Sequence, residues 1–304
     1  MALVSIALAT YNGEKFIVEQ MKSILHQSFQ DFEIVIHDDC STDGTYDLLR
    51  QFAKKDNRII LKKNKDNLGF SENFKTIVDD CTGEYIAFSD QDDIWETKHL
   101  EILLAIIGNK DVACGNALLV NQDNHSLGFT MKEVVGIHKE IESDRICWRL
   151  FFDNFVQGSA MLVRRELCKK YLPVPDIVKF HDYWLAIVAS LNNGVVYTSK
   201  IVLRYRQHGN NITNNRKNSI LREIYNFFNG FNRQHFIRQA EILSCLRERF
   251  ENNLAVETSY KFYKDCCTKN VDKQDVEYLK EHYVDMFLDE KYFSIRRLIY
   301  MYFC

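Results

Sequence analysis

The sequence predicts an α/β fold: a mostly parallel sheet with helices on both faces, followed by a helical C-terminal extension. Three observations predict it. Through residue 88, short apolar runs alternate with amphipathic stretches in the order β-α-β-α-β-α-β, a pattern that calls for parallel strands joined by crossover helices. Strands end in polar loops at Thr10, Asp38 and Asp90, and parallel pairing gathers such loops on one rim. After Asn215 the periodicity becomes helical throughout, and neither Gly nor Pro occurs beyond Gly230.

Taken in order, Leu3 to Ala9 is an apolar run without alternation, as expected of a strand covered on both faces. The turn Thr10-Tyr11-Asn12-Gly13 leads into a helix over 14–27, with Phe16, Ile17, Met21, Ile24 and Leu25 on one side. A second strand over 32–37 runs into Asp38-Asp39-Cys40-Ser41-Thr42-Asp43-Gly44-Thr45, where Ser41 or Asp43 caps the helix over 46–54. A strand over 58–62, a turn at Asn67-Leu68-Gly69 and a helix over 70–80 follow. The run Tyr85-Ile86-Ala87-Phe88 is a buried strand that stops at three carboxylates, Asp90, Asp92 and Asp93, ahead of Ile94-Trp95 and a helix over 96–107.

Those carboxylates are the strongest chemical signal. Crowded acids at a strand end repel one another and resist desolvation. A hard divalent cation, Mg²⁺ or Mn²⁺, compensates by taking one or two carboxylates and completing its shell with phosphate oxygens. The plainer account is a solvated acidic turn ahead of a helix. The strand ends of an open α/β sheet are, in addition, where ligands bind. No glycine fingerprint follows the first strand and no P-loop lysine is present, so the cation would carry the task of neutralising phosphate.

Composition narrows the classes. A formal net charge of -3 excludes a strongly basic nucleic-acid binder. Nine cysteines without paired C-x-x-C motifs, and no signal peptide ahead of Val4, point to free thiols in a reducing cytoplasm. No apolar run approaches the ~20 residues that span a bilayer, which leaves membrane contact peripheral.

The second half is less regular: strands over 112–120 and 159–163, helices over 141–152 and from Arg164, a helix over 181–192, and strands over 195–199 and 201–205. Helices are expected over 220–228, 231–250, 256–267, 274–287 and 295–303. The last stretch, Tyr292 to Phe303, mixes aromatics with Arg296-Arg297. It suits core packing, or an interfacial anchor touching the membrane.

Six segments, in order, resemble the family 2 inverting glycosyltransferases: Ala9-Thr10-Tyr11-Asn12-Gly13, His37 through Thr45, Ser89 through Trp95, Val156-Gln157-Gly158-Ser159-Ala160-Met161, His181-Asp182-Tyr183-Trp184, and Tyr205-Arg206-Gln207-His208-Gly209-Asn210-Asn211. The combination is similar to a bacterial subgroup that includes rhamnosyltransferases of surface-polysaccharide assembly. The resemblance implies a GT-A fold over 1–215, with a nucleotide-sugar half over 1–110 and an acceptor half over 111–215, and leaves 216–304 as a helical region. It implies a nucleoside diphosphate sugar, UDP- or dTDP-linked, as donor and a glycan or lipid-linked oligosaccharide as acceptor.

Residue by residue, it places Thr10, Tyr11, Asn12 and Asp39 on the nucleoside, with Asp39 accepting a uracil or thymine N–H and Asp38 behind it. Asp90 would contact ribose or a metal-bound water, and Asp92 would bind the metal. His208 would be a further metal or pyrophosphate ligand, with Arg206 beside it on the departing diphosphate. Asp182 would be the catalytic base, with His181 its rival. One departure stands out: Ala9 occupies a position where many members carry a polar residue. Two other functions remain in play at this stage, a catalytically silent nucleotide-sugar-binding subunit and a nucleotidyltransferase, the latter disfavoured by the absence of a Gly-rich, basic first loop.

Overall fold

The computed structural model describes residues 2–135, 137, 146–208, 231–268, 270, 272–275, 277–278 and 281–282. The elements are β1 (Val4–Thr10), α1 (Ile17–Leu25), β2 (Phe32–Asp38), α2 (Thr45–Ala53), β3 (Ile59–Lys63), α3 (Phe70–Asp80), β4 (Tyr85–Ser89), β5 (Ile94–Trp95), α4 (His99–Ile107), β6 (Val112–Asn121), β7 (Ser126–Thr130), α5 (Met131–Val134), α6 (Ile146–Phe152), a 3-10 turn (Gly158–Ala160), β8 (Met161–Arg164), α7 (Arg165–Tyr171), α8 (His181–Ser190), β9 (Val195–Gln207), α9 (Phe231–Arg249) and α10 (Leu254–Thr268).

One sheet orders these strands β3-β2-β1-β4-β8-β6-β9-β5, with β7 paired to β6. Its first four strands are parallel, as the β-α-β alternation predicts. Beyond β4 the sheet turns mixed: β8 runs antiparallel to both β4 and β6, β9 runs parallel to β6, and β5 runs antiparallel to β9. The expected strands over 195–199 and 201–205 are one strand, β9, whose register against β6 shifts between Cys114 and Ala117. The strands β5 and β7 were not foreseen.

The parallel half owes its order to burial. Val4, Ile6, Ala7 and Leu8 of β1 and Ile34, Val35 and Ile36 of β2 have no exposed surface, and a buried Leu or Ile contributes about 1.5–3 kcal/mol. Helix α1 lays Ile17, Met21 and Ile24 on the core at helical spacing. Helix α3 does the same with Phe74, Ile77 and Val78, and packs on β1 and β2.

The chain divides into two compact units. The sheet unit comprises 1–131, 156–174 and 179–214; the second comprises 132–155, 175–178 and 215–304. Residues 132–155 therefore group with the C-terminal helices, although the sequence resemblance assigns them to the first 215 residues. Within the second unit, α9 packs on α10 and α6. Trp148 stacks on His282 at 3.6 Å, and the Tyr278 hydroxyl bonds Ser259 Oγ at 2.8 Å. The expected helices over 220–228 and 295–303, and the Tyr292–Phe303 segment, lie outside the described residues. Among the described residues no helix is long and apolar enough to cross a membrane.

Candidate active site

Two loops on the parallel side form a single hydrogen-bonded body. Asp38, fully buried at the end of β2, accepts from Thr10 Oγ1 (3.1 Å), the Ser41 N–H (3.0 Å) and Ser41 Oγ (2.6 Å). It shapes both loops from beneath. Asn12 sits at φ 49°, its N–H donating to Ser41 Oγ and its side-chain oxygen accepting the Thr42 N–H, both at 2.9 Å. Gly13 N–H donates to Thr45 Oγ1 at 2.8 Å. The cap expected of Ser41 or Asp43 falls instead to Gly44, which has no side-chain cap bond; Asp43, one residue earlier, accepts the Thr45 N–H at 3.0 Å. Tyr11 stands out into solvent, 49% exposed, where an aromatic face can meet a flat ring.

Asp39 is buried and already engaged. Its carboxylate accepts from Asn64 Nδ2, the Leu68 N–H and the Gly69 N–H, each at 2.8 Å. Gly69 serves this bond at φ 77°, a backbone state that favours glycine. A carboxylate has about four acceptor positions, and these bonds fill three of them.

The acid loop after β4 contrasts with this. Asp90 accepts from Ser159 Oγ at 2.7 Å, and its own N–H donates back to that oxygen at 3.2 Å. Burial, then the charges of Asp92 and Asp182, push the Asp90 carboxyl up to about 7, against the Ser159 hydrogen bond. Asp93, 1% exposed, takes the Arg206 backbone N–H on Oδ1 at 3.0 Å, and among the described residues Oδ2 has no partner. Burial and the neighbouring Asp92 and Asp90 charges raise its carboxyl well above the ordinary range. Asp92 Oδ2 lies 2.8 Å from His208 Nε2, and the His208 ring stacks on Phe16 at 4.7 Å.

Arg206, expected beside the diphosphate, is buried with its donors engaged. It is 2% exposed, with Nε donating to the Asp92 backbone oxygen at 2.7 Å, Nη1 to the Gln122 oxygen and Nη2 to the Glu19 carboxylate. Its guanidinium also lies 5.0 Å from the centre of the Phe16 ring. The side chain thus ties α1, the acid loop and the β6–β7 turn together and holds Asp92 in place.

Asp182 opens α8. Its Oδ2 accepts the Gly158 N–H at 3.1 Å and its Oδ1 the Tyr183 N–H at 2.6 Å. Gly158 and Ser159 are consecutive residues of one buried turn. Through them the turn touches Asp182 with one residue and Asp90 with the next, which brings the first and second halves of the sheet unit to a common point. His181 borders the same turn, since a Cβ on Gly158 would lie 3.3 Å from its Nε2, but its ring packs among aromatics. It is 4% exposed, its ring lies 4.4 Å from the Phe74 and Phe88 rings and 5.4 Å from Phe70, and neither ring nitrogen has a hydrogen-bond partner among the described residues. Burial holds its imidazole down at about 3, so it is neutral and apolar in behaviour.

The donor set suits a divalent cation. Asp92 and His208, hydrogen-bonded to each other through Oδ2 and Nε2 at 2.8 Å, are the two side chains that would hold it. Carboxylate with imidazole is acceptable to Mn²⁺ and, less readily, to Mg²⁺. Among the described residues no cluster of three or more His, Cys, Asp or Glu forms a metal site, so further ligands would come from phosphate oxygens and water.

Comparison with known proteins fits this arrangement. The profile of Glycosyl transferase family 2 matches residues 5–172, over half of the chain, and the protein belongs to that family. It is a glycosyltransferase. The dTDP-rhamnosyl transferase RfbG of Shigella flexneri is 30% identical over 220 residues, covering 67% of this chain and 72% of the relative. The Escherichia coli UDP-Glc:alpha-D-GlcNAc-diphosphoundecaprenol beta-1,3-glucosyltransferase WfgD is 26% identical over 224 residues, 73% of this chain and 83% of the relative. Among solved structures, S. aureus TarS 1–349 in complex with UDP superposes with a TM-score of 0.59 at 17% identity, over 93% of this chain and 79% of that one. The mannosyltransferase PcManGT of Pyrobaculum calidifontis, in complex with GDP-Man and Mn²⁺, gives 0.57 at 15% identity, over 98% and 84%. These neighbours share the GT-A fold.

Sequence reasoning does not foresee Ser159, Gln91, Phe16 or Glu19 as parts of the site. Ser159 and Gln91 lie inside quoted motifs, but their roles depend on contacts across the sheet. Phe16 and Glu19 read as ordinary helix residues.

Proposed function

We propose that this glycosyltransferase moves a sugar from a UDP- or dTDP-linked donor to a hydroxyl of a glycan or lipid-linked oligosaccharide, with inversion at the anomeric carbon. The observation that carries the reading is the Gly158–Ser159 turn, which draws the donor-side Asp90 and the candidate base Asp182 to one place. Thr10, Tyr11, Asn12, Asp38 and Asp39 would form the nucleoside site, with residues 1–110 supplying the donor half and 111–215 the acceptor half. Asp92 and His208 would hold Mg²⁺ or Mn²⁺, which neutralises the charge of the departing diphosphate. Asp182 would accept the proton of the attacking hydroxyl while the new C–O bond forms. The bond from the anomeric carbon to phosphate oxygen breaks on the opposite face, and the diphosphate leaves with the electron pair. The names of RfbG and WfgD favour a dTDP- or UDP-linked donor, and that of WfgD favours an acceptor on a lipid diphosphate. Such an acceptor places the reaction at the cytoplasmic face of a membrane, in polysaccharide or O-antigen assembly.

The test is Asp182→Asn, with binding and transfer measured separately. Transfer should fall by ~10²–10⁴, while the calorimetric affinity for UDP and dTDP, which should exceed that for GDP, stays at the wild-type value. An Asp182→Asn enzyme that transfers at the wild-type rate overturns the role.

A further inference from the structure

Gln91, between Asp90 and Asp92, makes a two-point contact outside the catalytic set. Its Oε1 accepts the Tyr11 N–H and its Nε2 donates to the Tyr11 carbonyl, both at 2.9 Å. One residue exchanging both backbone bonds with a single partner is the pattern of a paired position in an antiparallel ladder. Here a side-chain amide supplies the second peptide unit. The fit is enforced from the other side by Gly13: a Cβ there would lie 2.2 Å from Gln91 Oε1 and 2.4 Å from its Cδ. A deeper link, Gln20 Nε2 to Ser89 Oγ at 2.8 Å, joins α1 to β4 within the core. At the level of the loops the connection is made by Gln91.

We propose that Gln91 is a positioning residue that locks the Tyr11–Gly13 loop to the Asp90–Asp93 loop, setting the distance between the nucleoside and diphosphate ends of the donor site. The proposal rests on the donor reading above. Only an amide satisfies the contact. A carboxylate of the same shape can accept from the Tyr11 N–H, but it cannot donate to the Tyr11 carbonyl and repels it. Asparagine is one methylene short. With the lock open, the two loops must be ordered by the donor itself, so binding weakens while the Asp182 chemistry is untouched.

The experiment is a double-mutant cycle on the full-length protein, read by calorimetric binding of UDP and of dTDP in the presence of Mn²⁺. Gln91→Glu and Gln91→Ala should each bind about tenfold more weakly, the order expected from losing one or two hydrogen bonds, with unchanged melting temperature. In transfer assays KM for the donor should rise and kcat hold. Gly13→Ala should weaken binding comparably in the wild-type background and have no further effect in the Gln91→Ala background, because its clash is with that side chain. Wild-type affinity in Gln91→Glu, or additive losses in the double variant, overturns the proposal while leaving the functional reading intact. A wild-type protein that binds neither diphosphate overturns both.

Discussion

The Thr10–Gly13 and Asp38–Thr45 loops and the acid loop lie on the same rim of the sheet unit, and their polar groups are treated in opposite ways. Around Thr10–Gly13 and Asp38–Thr45 the acids are matched with donors: Asp38 takes three hydrogen bonds and Asp39 takes three. Around Asp90–Asp93 the acids crowd one another. The carboxyls of Asp90 and Asp93 are pushed up, and Asp93 Oδ2 is buried with no partner among the described residues. A satisfied carboxylate holds backbone; an unsatisfied one has attraction left for something that arrives. The first region is therefore preformed, and the second is a strained acid cluster, the place where the proposed cation would bind. Buried Arg206 donates to two backbone oxygens and to Glu19 rather than to these carboxylates, whose partners are Ser159 for Asp90 and His208 for Asp92.

The sharpest way to break the comparison is to discharge the acid loop. Asp92→Asn should remove the Mn²⁺-dependent part of UDP binding and lower transfer by about 10³-fold, the several kcal/mol that metal charge stabilisation supplies. Affinity for UDP without metal should not change, since the preformed loops are intact. Calorimetry with and without Mn²⁺ checks both halves, and retention of the metal-dependent increment would mean that the acid cluster serves something else.

Arg206 provides the next largest effect, and it separates a positioning role from contact with the diphosphate. Arg206→Met leaves the Asp92 and Gln122 oxygens without their donor, and breaking such a buried set costs about 3 kcal/mol. The low end of the usual range applies because the Glu19 side chain is 48% exposed. Urea melts should show that loss, along with a weaker Mn²⁺ increment, while metal-free UDP affinity remains. If stability is unchanged and metal-free UDP binding collapses, the guanidinium touches the donor instead.

Much of the preformed region was legible in the sequence, and less of the acid loop's surroundings. The alternation through β4 encodes parallel strands, because each crossover helix carries its own 3.6-residue stripe. Asp38, Asp39, Asp90 and Asp92 sit at strand ends and show up as acids where acids are costly. The mixed half of the sheet is not encoded locally. The two-residue strand β5 exists only through pairing of Ile94 and Trp95 with Arg204 and Leu203, more than a hundred positions away. The partners of Arg206 are hidden for the same reason: an Arg beside a His in a polar motif suggests an anion site, and only the packed structure shows donors engaged by two backbone oxygens and Glu19. His181 and Asp182 adjoin in sequence, yet α8 sends one into an aromatic core and holds the other at the Gly158 turn.

That divergence gives the smallest effect on chemistry and a clear assignment of the base. His181 is enclosed by Phe70, Phe74 and Phe88 with no hydrogen-bond partner among the described residues, so phenylalanine suits its surroundings. His181→Phe should cost about 1 kcal/mol or less at pH 7, as a nearly volume-conserving core change, and transfer should stay far above the Asp182→Asn level. The pH dependence of stability should change instead. The imidazole is held down at about 3 in the fold, against 6.5 as its ordinary value. Between those values the unfolded chain takes up a proton that the folded chain refuses. The stability contribution is thus complete above pH 6.5 and is lost as pH falls toward 3. Phenylalanine has no proton to take, so melts of the variant at pH 7, 5 and 4 should decline less steeply than wild type. A variant that melts normally but loses transfer as fully as Asp182→Asn would make His181 the base. It would also mean that the aromatic enclosure opens during turnover, because a group buried this deeply cannot reach an acceptor hydroxyl from where it lies.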